Sequence, residues 1–219
     1  MKKSGLHELD SIFSNLKPIH FKRGEIVIRA GDAPVGIFYL KSGYVKVYSV
    51  SRAGEQLTLI IFKPGDIFPV SWAINSAKSD YFVETMTPTV FWRTSAEEFL
   101  GQISDKPKVL LELNRRMMER FLGLMRRMEY MVFGNALNKV SSILLICAER
   151  FGDASKGKII INVPLTHNEI ANLVGMSRET VSIEMKKLEK KGLIGHQGRQ
   201  IVINDERRLR KESQLDFIQ

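Results

Sequence analysis

Leu110, Leu113, Met117, Phe121, Leu124, Met128 and Met131 recur at steps of three and four along residues 107–132. Only an α-helix brings such positions onto one side, so the stretch is expected to form one helix about 39 Å long. A second run, Leu111, Met118, Leu122, Met125 and Val132, covers a neighbouring side. A rod with two apolar sides needs two partners. The expected partners are a β-rich domain of the same chain and the same helix of a second copy, which makes the first run a dimer seam. The alternative is a helix enclosed in one monomeric core. Against it stand the flanking Arg115, Arg116, Arg126 and Arg127, which leave little room for a full surround. A strict heptad would place Arg120 and Arg127 in the seam. Two successive steps of four avoid this and imply a less tightly left-handed coil.

Upstream, residues 19–94 read as short strands. Gly24, Gly31-Asp32, Gly43, Gly54 and Gly65-Asp66 punctuate "EIVIR", "GIFYLK", "YVKVYSV" and "EQLTLIIF", which are rich in β-branched and aromatic residues. Such spacing points to a small sandwich or barrel. Pro88 precedes a further strand, "TVFW", where proline is tolerated. Ser95 with Glu98 forms a capping box for a short helix.

Downstream, Phe133-Gly134-Asn135 breaks the helical pattern and is the expected hinge. "ALNKVSSILLICAERFG" restarts a helix that Gly152 is expected to end. Then comes "LTHNEIANLVGMSRETVS". Thr166, with Glu169, caps one helix whose apolar side is Ile170, Ala171, Leu173 and Val174. Gly175 permits a sharp turn, and Ser177 caps a second helix with Val181, Met185 and Leu188 inward. A strand pair over residues 193–203, turning near Gln197-Gly198, adds a wing. The pattern is a winged helix-turn-helix.

In that geometry the first turns of the second helix face base edges in the DNA major groove. Arg178, Glu179, Ser182 and Ile183 stand there. Arginine can grip guanine with two hydrogen bonds, and glutamate can accept from cytosine N4. Phosphate contacts are expected from Thr166, His167, Ser177, Thr180, Lys186, Lys187 and Arg199, with Lys139, Lys190 and Lys191 as further candidates. The plain alternative for Arg178 and Glu179 is a solvated helix start, where glutamate suits the dipole. The capped preceding helix, the glycine turn and the wing favour DNA.

The whole-chain balance agrees. The net charge is +9 over 219 residues, which suits a polyanionic partner. No run of eighteen apolar residues is present, so no membrane span is expected. "MKKSGLHELDSIF" lacks the apolar run and cleavage site of a signal peptide. A single cysteine, Cys147, excludes an internal disulfide and fits a reducing compartment, the cytoplasm. With four histidines, none in H-E-x-x-H spacing, and no P-loop, neither a metal site nor an enzyme is expected.

Taken with "RGEIVIRAGDAPVGIFYLKSGYVKVYSV" and "FKPGDIF", the helix-turn-helix segment resembles the Crp-Fnr family of bacterial transcription regulators over nearly the whole chain. The resemblance implies an α+β architecture. A jelly-roll-like β-roll of the cyclic-nucleotide-binding type occupies residues 1–106, a dimerisation helix and hinge 107–134, and a winged helix-turn-helix domain 135–219. It further implies a homodimer on a two-fold-related DNA site near promoters, often touching RNA polymerase.

The departures from the family pattern concern the ligand. Where cyclic-AMP-binding members carry Gly-Glu for the ribose, this chain has Pro69 and Val70; where they carry Arg-Ser for the phosphate, it has Ser79 and Asp80. Valine cannot accept a ribose hydroxyl, and an aspartate repels a phosphate. The polar pair that meets the base falls on Leu124 and Met125. Cyclic AMP held in the usual way is therefore not expected, and no cofactor is. An iron–sulfur sensor needs four thiolates. The N-terminal histidines, His7 and His20, offer haem no evident partner. Phe68, Trp72, Tyr81 and Phe82 could line a pocket for another ligand, or they could simply fill the roll. Ile183 stands where many members have a base-reading arginine, so one guanine contact fewer is expected per recognition helix. A rival reading, a ligand-binding module without DNA binding, lacks support from the ribose and phosphate positions.

Overall fold

Strands β1 (Ile19–Phe21), β2 (Ile26–Ile28), β3 (Ile37–Ser42), β4 (Val45–Val50), β5 (Gln56–Phe62), β6 (Ile67–Phe68), β7 (Phe82–Thr85) and β8 (Thr89–Thr94) build two four-stranded sheets, ordered β1-β8-β3-β6 and β2-β7-β4-β5. They are seen in a computed structural model that describes residues 11–155 and 157–213; His7 lies outside these. The alternation of a strand explains the layering. Along β3, Phe38 and Leu40 point between the sheets, where they meet Val45, Phe62, Phe68, Val83 and Phe91. Ile37 and Tyr39 point the other way, into a second cluster with Phe13, Ile67, Phe99, Ile103 and Val109. That outer cluster is closed by α1 (Val70–Asn75), α2 (Ala96–Ser104) and the start of α3 (Pro107–Phe133). The Ser95–Glu98 capping box opens α2 as expected. Strands β1, β6 and β7 and helix α1 were not legible beforehand, because segments of two to six residues carry too little periodicity.

Compact packing divides the chain in two. The first unit holds the described residues up to Ala53 with Thr58–Arg120, and the second holds Gly54–Leu57 with the described residues from Phe121 onward. The division falls within α3 rather than at the expected hinge.

Helix α3 corrects the expected assignment of its sides. Both apolar runs face water: Leu111 is 64% exposed, Phe121 55%, Met128 60% and Val132 72%. The side turned to the rest of the chain carries Val109, Glu112, Arg127 and Tyr130, all buried, with Arg116 and Arg120 mostly covered. Arg116 and Arg127 are thus inward residues, not flanking ones. The reason is that each charge finds a partner there. Glu112 accepts from Arg115 Nη2 at 2.6 Å and Arg116 Nε at 2.8 Å, and Arg116 Nη1 donates to the Gly65 carbonyl at 2.5 Å. Hydrogen bonding to Arg115, and then to Arg116, holds the Glu112 carboxyl down at about 2 although burial opposes this. Of the seven expected seam residues, Leu110, Met117, Phe121, Leu124 and Met128 are exposed. Leu113 instead packs on the Phe13–Phe99 cluster, and Met131 reaches the Gly175 turn, where a Cβ would lie 3.7 Å from its Cε.

In the second unit, α4 (Ala136–Phe151) begins with a reciprocal box between Asn135 and Asn138, both bonds 3.0 Å. Gly134 precedes it because a Cβ there would meet the Tyr130 carbonyl at 2.6 Å. Gly152 does follow α4, but in extended conformation (φ −92°, ψ 144°) rather than as a left-handed cap, since the chain runs straight into a strand. That strand, β9 (Gly152–Ser155), pairs with β10 (Lys158–Ile161). Then come α5 (His167–Val174), α6 (Arg178–Lys190), β11 (Ile194–Gln197), β12 (Gln200–Ile203) and α7 (Glu206–Ser213). The sheet order is β11-β12-β10-β9. Helix α7, unforeseen because its sequence is strongly charged, packs on α4: Leu209 is fully buried, and Asn138 Nδ2 donates to the Glu212 carbonyl at 2.7 Å.

Candidate nucleic-acid interface

Helices α5 and α6 form the expected corner. Thr166 Oγ1 accepts the Glu169 N–H at 3.1 Å and so begins α5. Gly175 ends it in the left-handed region (φ 63°), donating to the Ala171 carbonyl. After Met176, Ser177 Oγ accepts the Thr180 N–H at 3.1 Å and begins α6. Ile170, Ala171, Leu173, Val174, Val181, Met185 and Leu188 are all buried and lock the two helices together. This packing fixes what α6 presents outward.

The outward side carries Arg178, Glu179 and Ile183, all exposed, with Ser182 half-buried between them. Ile183 is 55% exposed on an otherwise charged and polar surface. Lys186, Lys187 and Lys190 continue the exposed side toward the C-terminal end. The structure therefore gathers all four expected base-reading residues on one face of one helix.

The phosphate candidates divide. Thr166, Ser177 and Arg199 are exposed, and His167 and Thr180 half-buried. The Ser177 and Thr180 hydroxyls lie 2.9 Å apart. One proton closes that bond, which leaves the other hydroxyl proton for an acceptor outside. Lys187 Nζ lies 2.8 Å from Glu184, a buried carboxylate on the same helix, so part of its charge is already compensated. Lys191 is tied to Glu212 at 2.7 Å, which weakens it as a phosphate contact. Lys186 is the more outward cation. The β11–β12 hairpin puts Arg199 at the tip of the wing, and His196 Nε2 meets Glu189 at 2.9 Å, joining the wing to α6.

Sequence reasoning missed the support behind α5. Arg127, buried on α3, donates through Nη2 to the carbonyl of Leu173 in the last turn of α5. The last carbonyls of a helix lack partners within it and form the negative end of its dipole, so a cation there is favourable. Burial lowers the Arg127 pKa, partly offset by Tyr130 and Cys147 beside it. Burial also pushes the Cys147 thiol up to about 12, which keeps it as unreactive thiol at neutral pH. Cys147 is accordingly a core residue of α4.

The residues proposed for an effector pocket are not brought together. Phe68 lies between the sheets, stacked on Phe62 (4.8 Å) and Phe38 (5.7 Å). Val70 and Trp72 pack on the outer cluster instead, because α1 begins at Val70. Ser79 bonds the Tyr81 carbonyl at 2.8 Å in a loop where Asp80 and Tyr81 are exposed. Phe82 stacks on Tyr48 at 5.3 Å, and Leu124 and Met125 face water. A hollow of about 500 Å³ lined by His20, Lys22, Arg23, Ser42 and Thr89, among others, includes none of the expected pocket residues.

Known proteins place this arrangement. Residues 18–106 match the family model for a cyclic nucleotide-binding domain, and residues 138–212 that for a Crp-like helix-turn-helix domain. Over 203 residues the chain is 27% identical to a CRP-like cAMP-activated global transcriptional regulator of Mycobacterium tuberculosis, covering 93% of this chain and 91% of that one. A global nitrogen regulator of Nostoc sp. is 25% identical over 186 residues, covering 84% and 83%. A solved structure of a CooA mutant from Carboxydothermus hydrogenoformans superposes with a TM-score of 0.77 at 22% identity, covering 93% and 90%; that likeness is one of fold.

Proposed function

Because the chain belongs to the Crp-Fnr family of transcription regulators and carries its helix-turn-helix DNA-binding domain, we propose that two copies pair along α3 and together read a near-palindromic duplex site. The observation that carries this reading is the exposure of Leu110, Met117, Phe121, Leu124 and Met128 on one long helix. Lone chains rarely leave so continuous an apolar surface in water. The same helix in a second copy offers an identical surface, which a two-fold axis makes self-complementary. Such a pair would set two α6 helices about one DNA turn, roughly 34 Å, apart.

Within each half-site, Arg178 grips a guanine, Glu179 accepts from cytosine, and Ile183 packs on a thymine methyl. Ser182 adds an adaptable hydroxyl. Thr166, His167, Ser177, Thr180, Lys186, Lys187 and Arg199 set the register through phosphates. Any effector is a ligand other than cyclic AMP held in the usual manner, a reading that rests on Val70 and Asp80. The regulator acts in the cytoplasm, with RNA polymerase as a further partner at promoters.

Selection of bound duplexes from a random pool, run with and without cell extract, tests the reading. Two inverted half-sites one turn apart are expected, with affinity falling steeply as salt rises. Titration with cyclic AMP is expected to leave that affinity unchanged. A chain that stays monomeric at micromolar concentration, or that recovers only single half-sites, would overturn it.

A further inference from the structure

The corner between α5 and α6 is held from behind by α3. Two residues one helical turn apart, Arg127 and Met131, do this. Arg127 Nη2 donates to the Leu173 carbonyl, and Met131 lies against the Gly175 turn. The N–H groups of Gly175 and Met176 both go to the Ala171 carbonyl, so Arg127 serves a different carbonyl of the same helix end. Leu173 stands four residues before Ser177, the N-cap of the recognition helix. The covalent link between α3 and the reading head is Gly134 and Asn135; the guanidinium makes a second, non-covalent one.

We infer that Arg127 is a positioning residue for DNA recognition: it latches the helix-turn-helix to the C-terminal half of α3 and so fixes the direction in which Arg178, Glu179 and Ile183 point from the dimer seam. With one link, a reading head can pivot about Gly134-Asn135. With two, a pivot must first break a charge-assisted hydrogen bond inside a buried setting, and such bonds are the strong ones. The latch acts on geometry between the two half-sites and leaves each half-site contact unchanged. The inference rests on the paired reading above.

Its test uses the full chain and duplexes carrying the selected half-site, singly or in inverted pairs whose spacer changes by one base pair at a time. Wild type is expected to prefer one spacing by roughly tenfold or more over its neighbours, the scale of one hydrogen bond to a charged group. Arg127→Met is expected to flatten that preference to about threefold or less while single-half-site affinity changes by less than about threefold. Arg127→Lys keeps a cation that can reach the carbonyl and is expected to restore most of the preference. Dimer content by sedimentation and thermal melting accompany each variant.

An Arg127→Met chain with the wild-type spacing profile would overturn the latch, and so would equal loss on single and paired sites. Should that variant not fold, amide exchange in wild type decides. Gly175 and Met176 are expected to be protected as strongly as the core of α5, and much faster exchange at the corner would refute the latch. A wild-type chain that ignores spacing altogether sinks the paired reading itself, a different result from a variant that alone loses spacing.

Discussion

Arg120 holds Asp66 by an ion pair, Nη2 to Oδ1 at 2.7 Å, while its guanidinium lies 5.0 Å over the Phe62 ring. Asp66 also accepts the Lys63 N–H at 2.9 Å, so one carboxylate both closes the Pro64-Gly65 turn and anchors a helix. Both side chains are largely covered, which makes a lone survivor costly. Arg120→Met is expected to destabilise the chain by about 2 kcal/mol. Thermal unfolding of that variant, of Asp66→Asn and of the double variant measures the coupling; additive losses would contradict it.

Phe121 is the middle of the exposed seam. Phe121→Asp would bury an unpaired carboxylate in the proposed dimer. The dimer dissociation constant is expected to rise by at least about a hundredfold, because an unpaired buried charge costs several kcal/mol. Analytical sedimentation reads this directly. Circular dichroism is expected to be unchanged, since the side chain touches water in the single chain.

Ile183 and Arg178 share the exposed face of α6 proposed to read bases but differ in what they can hold. Arg178→Ala is expected to lose about 1–3 kcal/mol on the selected site, concentrated at one guanine. Ile183→Arg is expected to convert a thymine preference into a guanine preference of similar size. Repeating the random-pool selection with each variant shows which base pair moved.

Glu112 gives the chain an acid limb. Its carboxyl sits at about 2 in the folded chain against an ordinary 4.5. A folded value below the unfolded one means its contribution is complete above the unfolded value and is lost as pH falls toward the folded one. The stability gap between wild type and Glu112→Gln is therefore expected to shrink by roughly 2 kcal/mol from about pH 5 to pH 2, allowing for solvent around half-exposed Arg115. Chemical denaturation across that range measures it. A constant gap would mean the two arginines do not depend on this charge.

Much of this is legible in the sequence. Caps and turns are local, so Ser95, Thr166, Gly175 and Ser177 could be placed from their neighbours alone. The outward face of α6 followed, because periodicity fixes which positions lie opposite Val181 and Met185. Periodicity also found α3 but misjudged its inward side. Hydrophobic pattern assigns apolar residues to the interior, whereas here Arg116, Arg120 and Arg127 go inward because the Gly65 carbonyl, the Asp66 carboxylate and the Leu173 carbonyl, all distant in sequence, await them. Such pairing has no local signature. The pocket residues failed for a related reason: a family pattern and a run of aromatic residues do not show that α1 starts at Val70 and turns it and Trp72 away from Phe68.

Cys147 is the one thiol of the chain, shut inside α4 and held in its unreactive form. A maleimide dye would therefore find no native target while the fold persists. A cysteine introduced at the wing tip or midway along α3 would take the label alone, so distances between paired copies become measurable by fluorescence transfer without first stripping the wild-type background.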